Sequence, residues 1–342
     1  MKSDILKLKI LEGIPLAPFT TLKIGGAARF FCEAKNEDEI FEALKFAREK
    51  NLPVFVLGGG SNILVSDKGF GGVVIKILNT KYQIQDTKIE CGAGCQLGTV
   101  VTESVKAGLT GLEWAAGIPG TIGGAVRGNA GAFGGEMKDL TQNVDVLEIS
   151  NFQFPISNKN PKSKIKISSQ IQNPKSKNSL CVTRYELRDC KFDYRDSIFK
   201  QSPDLIILSV TLKLKKDDRA RSEKLIKEIL EKRRKSQPEY PTPGSFFKNP
   251  VTKDKKLIER FEADTGVKLK DNKIPAGYLI EEAGLKGKKI GGAMVNEKHA
   301  NFIVNTGKAT AEDVVTLAAV VKTRVRNKFS IQLKEEVEYV GF

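Results

Sequence analysis

The chain has 342 residues, of which 40% are hydrophobic and 28% charged, and its mean hydropathy is −0.26. This composition is typical of folded globular domains, about two at this length, and excludes a disordered or fibrous chain. No apolar run approaches the roughly 18 residues of a membrane helix, and the start MKSDILKLKI lacks the apolar core of a secretory signal. We therefore expect a cytoplasmic protein without membrane insertion.

Histidine and cysteine counts exclude several kinds of site. His299 is the single histidine, so catalytic triads and histidine-rich metal centres are excluded. The five cysteines form no C-x-x-C pair, and Cys91 and Cys95 have no partners that would complete a zinc site. The sequence therefore predicts reduced structural thiols and no metal.

The positive charge is concentrated in one segment. The net charge of +15 favours acidic partners, such as nucleic acid, a membrane surface or a phosphorylated small molecule. Residues 151–180 contain two copies of NPKSK and six lysines without an acid, which leaves +9 on the other 312 residues. Few apolar side chains there can offset the entropy of ordering, so we predict a low-complexity insertion forming a solvated loop. A polyanion-binding arm is the alternative.

Local patterns before the insertion indicate an α/β unit. Asn36 precedes an acidic turn and apolar residues at helical spacing, which predicts a helix capped by Asn36. A second helix is predicted from Leu97 to Ala107. Apolar runs predict strands at 53–57, 63–65, 72–77, 145–149 and 181–187. The last two flank the insertion, so it should interrupt a hairpin.

Two helices and a strand are predicted after the insertion. A helix begins near Ser222, where we place a domain boundary, and ends before Pro238. Thr310 and Asp313 form a capping box for a second amphipathic helix. The predicted buried face of the first helix is Leu225, Ile226, Ile229 and Leu230, and that of the second is Val314, Leu317, Ala318, Val321 and Val325. Alternation over 330–341 predicts a terminal strand with Leu333 and Val337 on one face and Glu336 on the other.

Two glycine-rich segments could bring backbone N–H groups close to a ligand. LGGGSN (57–62) follows an apolar strand and could hold a phosphate, with a plain hairpin turn as the alternative. The segment 117–135 holds eight glycines and one charge, Arg127, which favours backbone wrapped around a flat ligand. Close backbone packing is the alternative there. Neither segment fits the Rossmann or P-loop pattern, and together they point to a bound dinucleotide.

Three polar side chains are candidates for chemistry. Ser245, in PTPGSFFKNP, could donate a proton from a rigid turn, or be an ordinary turn serine. Arg195, in YRDSIFK, could bind a carboxylate or phosphate, or form a surface ion pair. Glu336 could contact a ligand, or lie on the solvated face of the terminal strand.

In order along the chain, these motifs resemble those of the UDP-N-acetylenolpyruvoylglucosamine reductase family, flavoenzymes of peptidoglycan precursor synthesis. The similar segments are TTLKIGGAARFF, LGGGSNILVSD, GLEWAAGIPGTIGGAVRGNAGAFGGEM, YRDSIFK, PTPGSFFKNP, IPAGYLIEEAGLKG and GGAMVNEKHANFIVN. The resemblance implies an α+β fold, with a two-part FAD-binding unit of the vanillyl-alcohol-oxidase (PCMH) type and a separate α/β substrate-binding domain. The implied domains are 1–80 and 81–221 for FAD, the latter with the insertion, and 222–342 for substrate.

The resemblance also implies roles for individual residues. Ser245 matches the family's proton donor, while Arg195 and Glu336 match the pair that stabilises charge on the substrate carboxylate. Substrate contacts are expected at Lys248, Asn249 and Glu282. FAD contacts are expected at Gly58, Gly59, Gly60, Ser61, Asn62, Gly117, Ile118, Pro119, Gly120, Thr121, Gly123, Gly124, Asn129, Ala130, Gly131 and Ala132. The family has a proline before the terminal glutamate where this chain has Glu335, and register with Val337 and Gly341 favours Glu336.

The implied reaction is reduction of the enolpyruvyl group of UDP-N-acetylglucosamine enolpyruvate to UDP-N-acetylmuramate, with FAD as cofactor and NADPH as co-substrate. The implied partner is this UDP-sugar, with no nucleic acid, and the implied state is a monomer. Two alternatives stay open at this point. A basic binding protein explains only the charge and predicts salt-sensitive binding without a chromophore. A related FAD oxidase explains the glycine-rich segments but not GSFFKNP.

Overall fold

The computed structural model describes residues 8–149, 170–172 and 181–342, without the side chains of 170–172 and 181. Two compact units are present. Unit 1 comprises residues 1–14, 28–59 and 70–233, and unit 2 comprises residues 15–27, 60–69 and 234–342. The domain boundaries predicted at 80 and 221 stay predictions. No helix in the described ranges combines the length and apolar character needed to span a membrane.

The described elements include runs of consecutive strands, such as β3 to β7, separated by helices. The strands are β1 (Ile10–Pro15), β2 (Ala27–Ala34), β3 (Val54–Leu57), β4 (Ile63–Val65), β5 (Phe70–Ile77), β6 (Tyr82–Gln85), β7 (Lys88–Gly92), β8 (Leu109–Thr110), β9 (Gly131–Ala132), β10 (Gly135–Glu136), β11 (Thr141–Glu148), β12 (Gln170–Gln172), β13 (Cys181–Glu186), β14 (Leu205–Lys213), β15 (Lys215–Lys216), β16 (Lys289–Ile290), β17 (Ala293–Val295), β18 (Ile303–Asn305) and β19 (Glu338–Val340). The α-helices are α1 (Glu37–Glu49), α2 (Leu97–Lys106), α3 (Ile122–Arg127), α4 (Ile198–Gln201), α5 (Arg219–Ser236), α6 (Lys255–Thr265), α7 (Ala276–Glu282) and α8 (Ala311–Phe329).

Unit 1 contains a four-stranded sheet in the order β1-β2-β5-β3, in which β2 and β3 both run parallel to β5. Helix α1 begins after Asn36, whose Oδ1 accepts the N–H of Glu39 at 2.9 Å, so the predicted cap is confirmed. Ile40 and Leu44 of this helix are fully buried in the core of unit 1. The helix therefore forms from a local cap and one apolar face.

The second sheet of unit 1 has the order β12-β13-β11-β14-β7-β6. Strands β11 and β13 pair antiparallel, which confirms that the insertion interrupts a hairpin. Residues 170–172 differ from the predicted loop, because their backbone pairs with the edge of β13 as strand β12. The rest of 151–180 lies outside the described residues, as do the six lysines on which the polyanion alternative depends.

Helix α5 begins three residues before the predicted start at Ser222 and buries only part of the predicted face. Leu225 and Leu230, predicted to be buried, are 43% and 44% exposed, whereas Ser222 and Ile229 are buried. Ile229 is buried and Ile226 packs against the core as predicted, so the prediction was wrong only for the two leucines, and it missed Ser222 because it counted apolar residues only. The hydroxyl of Ser222 is buried because it donates to the carboxylate of Glu113 at 2.6 Å.

Unit 2 contains the sheet β16-β17-β18 and the parallel pair β4 and β19. The capping box of α8 is confirmed, since Thr310 Oγ1 accepts from Asp313 N at 3.1 Å and Asp313 Oδ2 accepts from Thr310 N at 3.1 Å. All five residues predicted for its buried face are buried. In addition, Asp67 accepts the N–H groups of Ala311 and Glu312, which ties the segment after β4 to the start of α8.

The predicted terminal strand 330–341 is shorter than expected. Only Glu338–Val340 forms β19, although Leu333 and Val337 are buried as predicted. The chain first pairs through an isolated bridge between Phe247 and Glu335, and then pairs with β4. This change of partner interrupts the strand between Glu335 and Glu338, where Glu336 lies.

Candidate active site

Gly58 and Gly59, which follow β3, lie directly against the second glycine-rich segment in unit 1. A Cβ atom on Gly59 would lie 2.5 Å from the Cα of Gly120, and one on Gly58 would lie 2.7 Å from Oγ1 of Thr121. These distances are shorter than real Cβ atoms tolerate, so a larger residue would force the two segments apart. The structure thus brings four of the predicted cofactor residues together.

The loop 58–62 presents unused hydrogen-bond donors. Within the described part of the chain, the N–H groups of Gly58 and Gly59 in unit 1 donate to no protein acceptor. The same is true of the N–H groups of Gly60, Ser61 and Asn62 in unit 2. Backbone donors without Cβ bulk bind anionic groups, so the two donors in unit 1 and the three in unit 2 are each available to an anionic ligand.

The glycines at 117, 120 and 123 also serve backbone geometry. Gly117 and Gly120 have φ of +78° and +122°, a region that favours glycine. A Cβ atom on Gly123 would lie 2.8 Å from that of Ala93. Close backbone packing, the alternative interpretation, therefore accounts for part of the glycine content of this segment.

Arg195 lies against the far end of the same segment. Its Nη2 donates to the carbonyl of Gly131 at 2.6 Å and its Nη1 to that of Asn129 at 3.4 Å. The side chain of Asn129 is fully buried and donates to Glu136 at 3.0 Å and to the carbonyl of Asp193 at 2.9 Å. The side-chain amide of Asn129 therefore holds the glycine-rich segment in place. The structure also joins Arg195 to two predicted cofactor residues, Asn129 and Gly131.

A carboxylate lies close to this arginine. Burial acts to raise the pKa of Glu136, but hydrogen bonds from Lys138 and Asn129 and the nearby charge of Arg195 lower it overall. Glu136 is therefore ionised at neutral pH, and it contributes negative charge beside the guanidinium.

Glu113, which the sequence did not single out, anchors the chain that leads into the glycine-rich segment. It is 4% exposed, and its carboxylate accepts from Thr110 Oγ1 at 2.7 Å, Gly111 N at 2.8 Å and Ser222 Oγ at 2.6 Å. Burial acts to raise its pKa, but these hydrogen bonds outweigh burial and lower it. The bond to Ser222 fastens α5 to this part of the chain.

Replacing Glu113 with glutamine should lower the free energy of unfolding by about 1–3 kcal/mol at neutral pH, because one amide oxygen cannot satisfy three donors. The folded-state pKa lies below the ordinary value of 4.5, so the wild-type advantage is complete above that pH. It is lost as the pH falls through the folded-state pKa. Thermal unfolding of both proteins across this range measures the effect, and an advantage unchanged in acid would contradict the assignment.

In unit 2, Ser245 lies on a segment anchored in the core. Gly244 turns the chain with φ of +85°, and Phe246 and Phe247 are 0% and 1% exposed. Ser245 is half-buried and forms an isolated bridge with Phe302. Among the residues that the structure describes, its Oγ has no hydrogen-bond partner. The hydroxyl is therefore available to a ligand.

Glu336 lies beside the same segment. Its N–H donates to the carbonyl of Phe246 at 2.8 Å, and its carbonyl accepts from Nδ2 of Asn62 at 3.1 Å. The preceding carboxylate, that of Glu335, forms an ion pair with Lys322 at 2.8 Å. Adjacent side chains in extended backbone point to opposite faces, so Glu335, on the side of Lys322, and Glu336 face different surroundings.

The three predicted substrate contacts lie around α7. Asn249 Oδ1 accepts the N–H of Ala276, the first residue of the helix, at 3.0 Å. Glu282, its last residue, forms an ion pair with Arg260. Lys248 precedes Asn249 in the chain. Asn249 and Glu282 thus mark opposite ends of a helix that rises about 9 Å between them, a separation that suits an extended ligand.

Four of the five cysteine side chains and the single histidine lie in the part of the chain that the structure describes. Four cysteines are described, and all four are buried and free. Burial raises the pKa of Cys32 to about 12 and that of Cys190 to about 12, which makes these thiols unreactive. No cluster of His, Cys, Asp or Glu in the described ranges could hold a metal ion.

Sequence reasoning missed the roles of two asparagines. The side chain of Asn62 donates to Glu336, in addition to any contact its backbone makes with a ligand. Asn301, 4% exposed, hydrogen-bonds the backbone of Phe247. The available signal was an asparagine inside the apolar run ANFIV, since a buried amide requires polar partners.

Two regions of the chain match models of known protein families. Residues 28–150 match the model of the FAD binding domain, and residues 237–340 match that of the UDP-N-acetylenolpyruvoylglucosamine reductase C-terminal domain. The UDP-N-acetylenolpyruvoylglucosamine reductase of Caldanaerobacter subterraneus subsp. tengcongensis is 35% identical over 343 residues, covering 100% of this chain and 97% of that protein. The Heliobacterium modesticaldum protein of the same name is 38% identical, covering 96% and 89%.

A solved structure agrees with these matches. The crystal structure of UDP-N-acetylenolpyruvylglucosamine reductase from Thermus caldophilus is 31% identical and covers 98% of this chain and 99% of that one, with a TM-score of 0.69. The predicted fold class, FAD-binding domain and separate C-terminal domain are thereby confirmed, and an enzyme is favoured over a basic binding protein. The chain belongs to the UDP-N-acetylenolpyruvoylglucosamine reductase family.

Proposed function

We propose that this protein uses FAD and NADPH to reduce the enolpyruvyl group of UDP-N-acetylglucosamine enolpyruvate, giving UDP-N-acetylmuramate for peptidoglycan. One observation carries the proposal beyond family membership. The hydroxyl of Ser245, which has no partner among the described residues, lies on a core-anchored segment whose next residue is hydrogen-bonded to Glu336 at 2.8 Å. A hydroxyl donor and a carboxyl group are therefore held by one backbone framework.

Both glycine-rich segments fit FAD. The unused N–H donors of residues 58–62 suit its diphosphate, and the Cβ-free surface of Gly59 and Gly120 permits close approach of backbone to a flat ligand. When bound, FAD would accept a hydride from NADPH and deliver it to the enolpyruvyl double bond. The remaining predicted cofactor residues follow from the family resemblance.

Ser245, Arg195 and Glu336 would divide the work on the substrate. Addition of hydride leaves negative charge on the adjacent carbon and the carboxylate, and Ser245 Oγ–H would supply the proton that completes the reduction. A weak acid suffices because the acceptor is strongly basic. Arg195, fixed by the carbonyls of Gly131 and Asn129, would stabilise the carboxylate charge. Glu336 would share this role in its protonated form.

The partner proposed is the UDP-sugar alone, without nucleic acid. Lys248, Asn249 and Glu282 are the proposed substrate contacts, because they lie around one helix at a separation that suits an extended nucleotide sugar. A monomer in the cytoplasm is proposed. The buried, free cysteines support a reducing compartment.

The test is NADPH consumption with product analysis. Purified protein loaded with FAD should oxidise NADPH only when UDP-N-acetylglucosamine enolpyruvate is present, and should form one UDP-N-acetylmuramate for each NADPH. NADPH oxidation at the same rate with and without this sugar, with oxygen reduced to peroxide, would instead favour a related FAD oxidase.

A further inference from the structure

The side chain of Asn301 makes a complete pair with one backbone residue of the Ser245 segment. Nδ2 donates to the carbonyl of Phe247 at 2.9 Å, and Oδ1 accepts the N–H of Phe247 at 3.1 Å. The main-chain carbonyl of Asn301 also accepts the N–H of Phe246 at 2.7 Å. Three hydrogen bonds therefore fix the two residues that follow Ser245. All of them are buried, where hydrogen bonds are least replaceable by water.

The opposite edge of this segment holds Glu336. The carbonyl of Phe246 accepts the N–H of Glu336 at 2.8 Å, and the N–H of Lys248 donates to the carbonyl of Lys334 at 2.9 Å. The segment 245–248 is thus a short extended piece bonded to residues 301–302 on one side and to 334–336 on the other. The position of Ser245 relative to Glu336 depends on both edges.

We propose that Asn301 is a positioning residue for the reduction, because it fixes the Ser245 hydroxyl relative to Glu336. The inference rests on the proposed function, in which those two groups act on the same substrate. Asn301 itself is buried beneath the segment, and within the described part of the chain its side chain bonds only the peptide groups of Phe247, so it acts through Ser245. Proton transfer requires donor and acceptor within hydrogen-bond reach, and a displacement of about 1 Å can cost about 100-fold in rate.

Only a carboxamide of this length matches the site. Leucine has similar size but would leave the N–H and carbonyl of Phe247 buried without partners. Aspartate keeps the shape, but its ionised form places a negative oxygen against the carbonyl of Phe247 and loses the donor. Its protonated form restores one donor and one acceptor. Asn301→Leu and Asn301→Asp therefore perturb the same pair in different ways.

The test separates the two half-reactions in FAD-loaded, full-length protein under anaerobic rapid mixing. Flavin reduction by NADPH is followed first, and flavin reoxidation by UDP-N-acetylglucosamine enolpyruvate second. Asn301→Leu should slow reoxidation by about 100-fold and leave reduction unchanged, because reduction does not use the Ser245 proton. In a Ser245→Ala background the same change should add little, since the hydroxyl that it displaces is gone.

A matched control is Asn305→Leu. Asn305 is 5% exposed, lies at the end of β18, and bonds Leu22, Gly307 and Ala309 with its side chain. Its loss should lower stability but preserve the ratio of the two half-reaction rates. Equal loss of both half-reactions in Asn301→Leu and Asn305→Leu would show a merely structural role and overturn the proposal.

Asn301→Asp supplies a second readout if the leucine variant does not fold. Burial favours the neutral carboxyl, so its reoxidation rate relative to wild type should rise as the pH is lowered. The ionisable groups around this cluster are His299, whose Nδ1 accepts the N–H of Asn301 at 3.3 Å, and Lys286 and Glu281, which act on His299. Lys248, Lys334, Glu335 and Glu336 flank the segment. All of these ionisable groups are present in wild type and in Asn301→Asp, so the ratio of the two reoxidation rates reports only the titration of the new carboxyl group.

The outcomes are distinguishable. The role of Asn301 would be overturned if the reoxidation rate of Asn301→Asp relative to wild type did not change with pH. Reoxidation of Asn301→Leu at the wild-type rate would also overturn it. Wild-type protein that is reduced by NADPH but not reoxidised by the sugar would instead overturn the proposed function.

Discussion

Replacing Ser245 with alanine should slow reoxidation of the reduced protein by its enolpyruvyl substrate by about 10²–10⁴-fold, which is the usual contribution of a positioned general acid. Reduction by NADPH should proceed at the wild-type rate. The expectation follows from the available hydroxyl and from the rigid segment that carries it. Separate measurement of the two half-reactions by anaerobic stopped-flow absorbance checks it.

The matched control for this variant is Thr242→Val. Thr242 lies three residues before Ser245, but its hydroxyl already donates to the carbonyl of Ile303 at 2.9 Å. Loss of that hydroxyl should lower stability slightly and affect neither half-reaction selectively. Reoxidation of Ser245→Ala at the wild-type rate would remove Ser245 from the mechanism.

Replacing Gly59 with alanine should produce a protein that loses its flavin. The new Cβ would lie 2.5 Å from the Cα of Gly120 and 3.1 Å from its carbonyl carbon, and because both atoms belong to the backbone, the two glycine-rich segments must separate. Overpacking of this kind typically costs about 1–3 kcal/mol and would also displace the donors proposed to hold the diphosphate. The ratio of flavin to protein absorbance after gel filtration measures the loss.

Gly98→Ala is the control for this prediction. Gly98 lies inside α2, and a Cβ atom there meets no atom within 4 Å. The change should leave flavin content intact and stabilise the helix by about 0.5–1 kcal/mol, because alanine loses less backbone entropy than glycine. Full flavin retention by Gly59→Ala would show that the close approach of the two segments is not needed for cofactor binding.

Local chemistry explains which elements were predictable. Helix α8 was placed correctly because its capping box and its apolar spacing both lie within the helix itself. The buried face of α5 was placed only in part, since Ile226 and Ile229 were correct but the burial of Ser222 depends on Glu113, more than 100 residues earlier. Periodicity counts apolar side chains, and a polar residue buried by a distant carboxylate is invisible to it.

Long-range strand pairing also limited how much of the candidate site could be predicted from the sequence. The terminal strand was predicted as one element from its alternation, yet it changes partner between Glu335 and Glu338. Register with Val337 and Gly341 favoured Glu336 over Glu335, but the ion pair of Glu335 with Lys322 joins residues 13 apart and could not be predicted from alternation. Family resemblance suggested Ser245 as a donor, but only the structure showed Asn301 beneath it.

An anaerobic titration of the purified, FAD-loaded protein tests the central claim most directly. The flavin absorbance should bleach on addition of NADPH, persist in the reduced form, and return when UDP-N-acetylglucosamine enolpyruvate is added, with formation of one UDP-N-acetylmuramate per flavin. A protein that binds no FAD, or whose reduced flavin is not reoxidised by this sugar, would contradict the account.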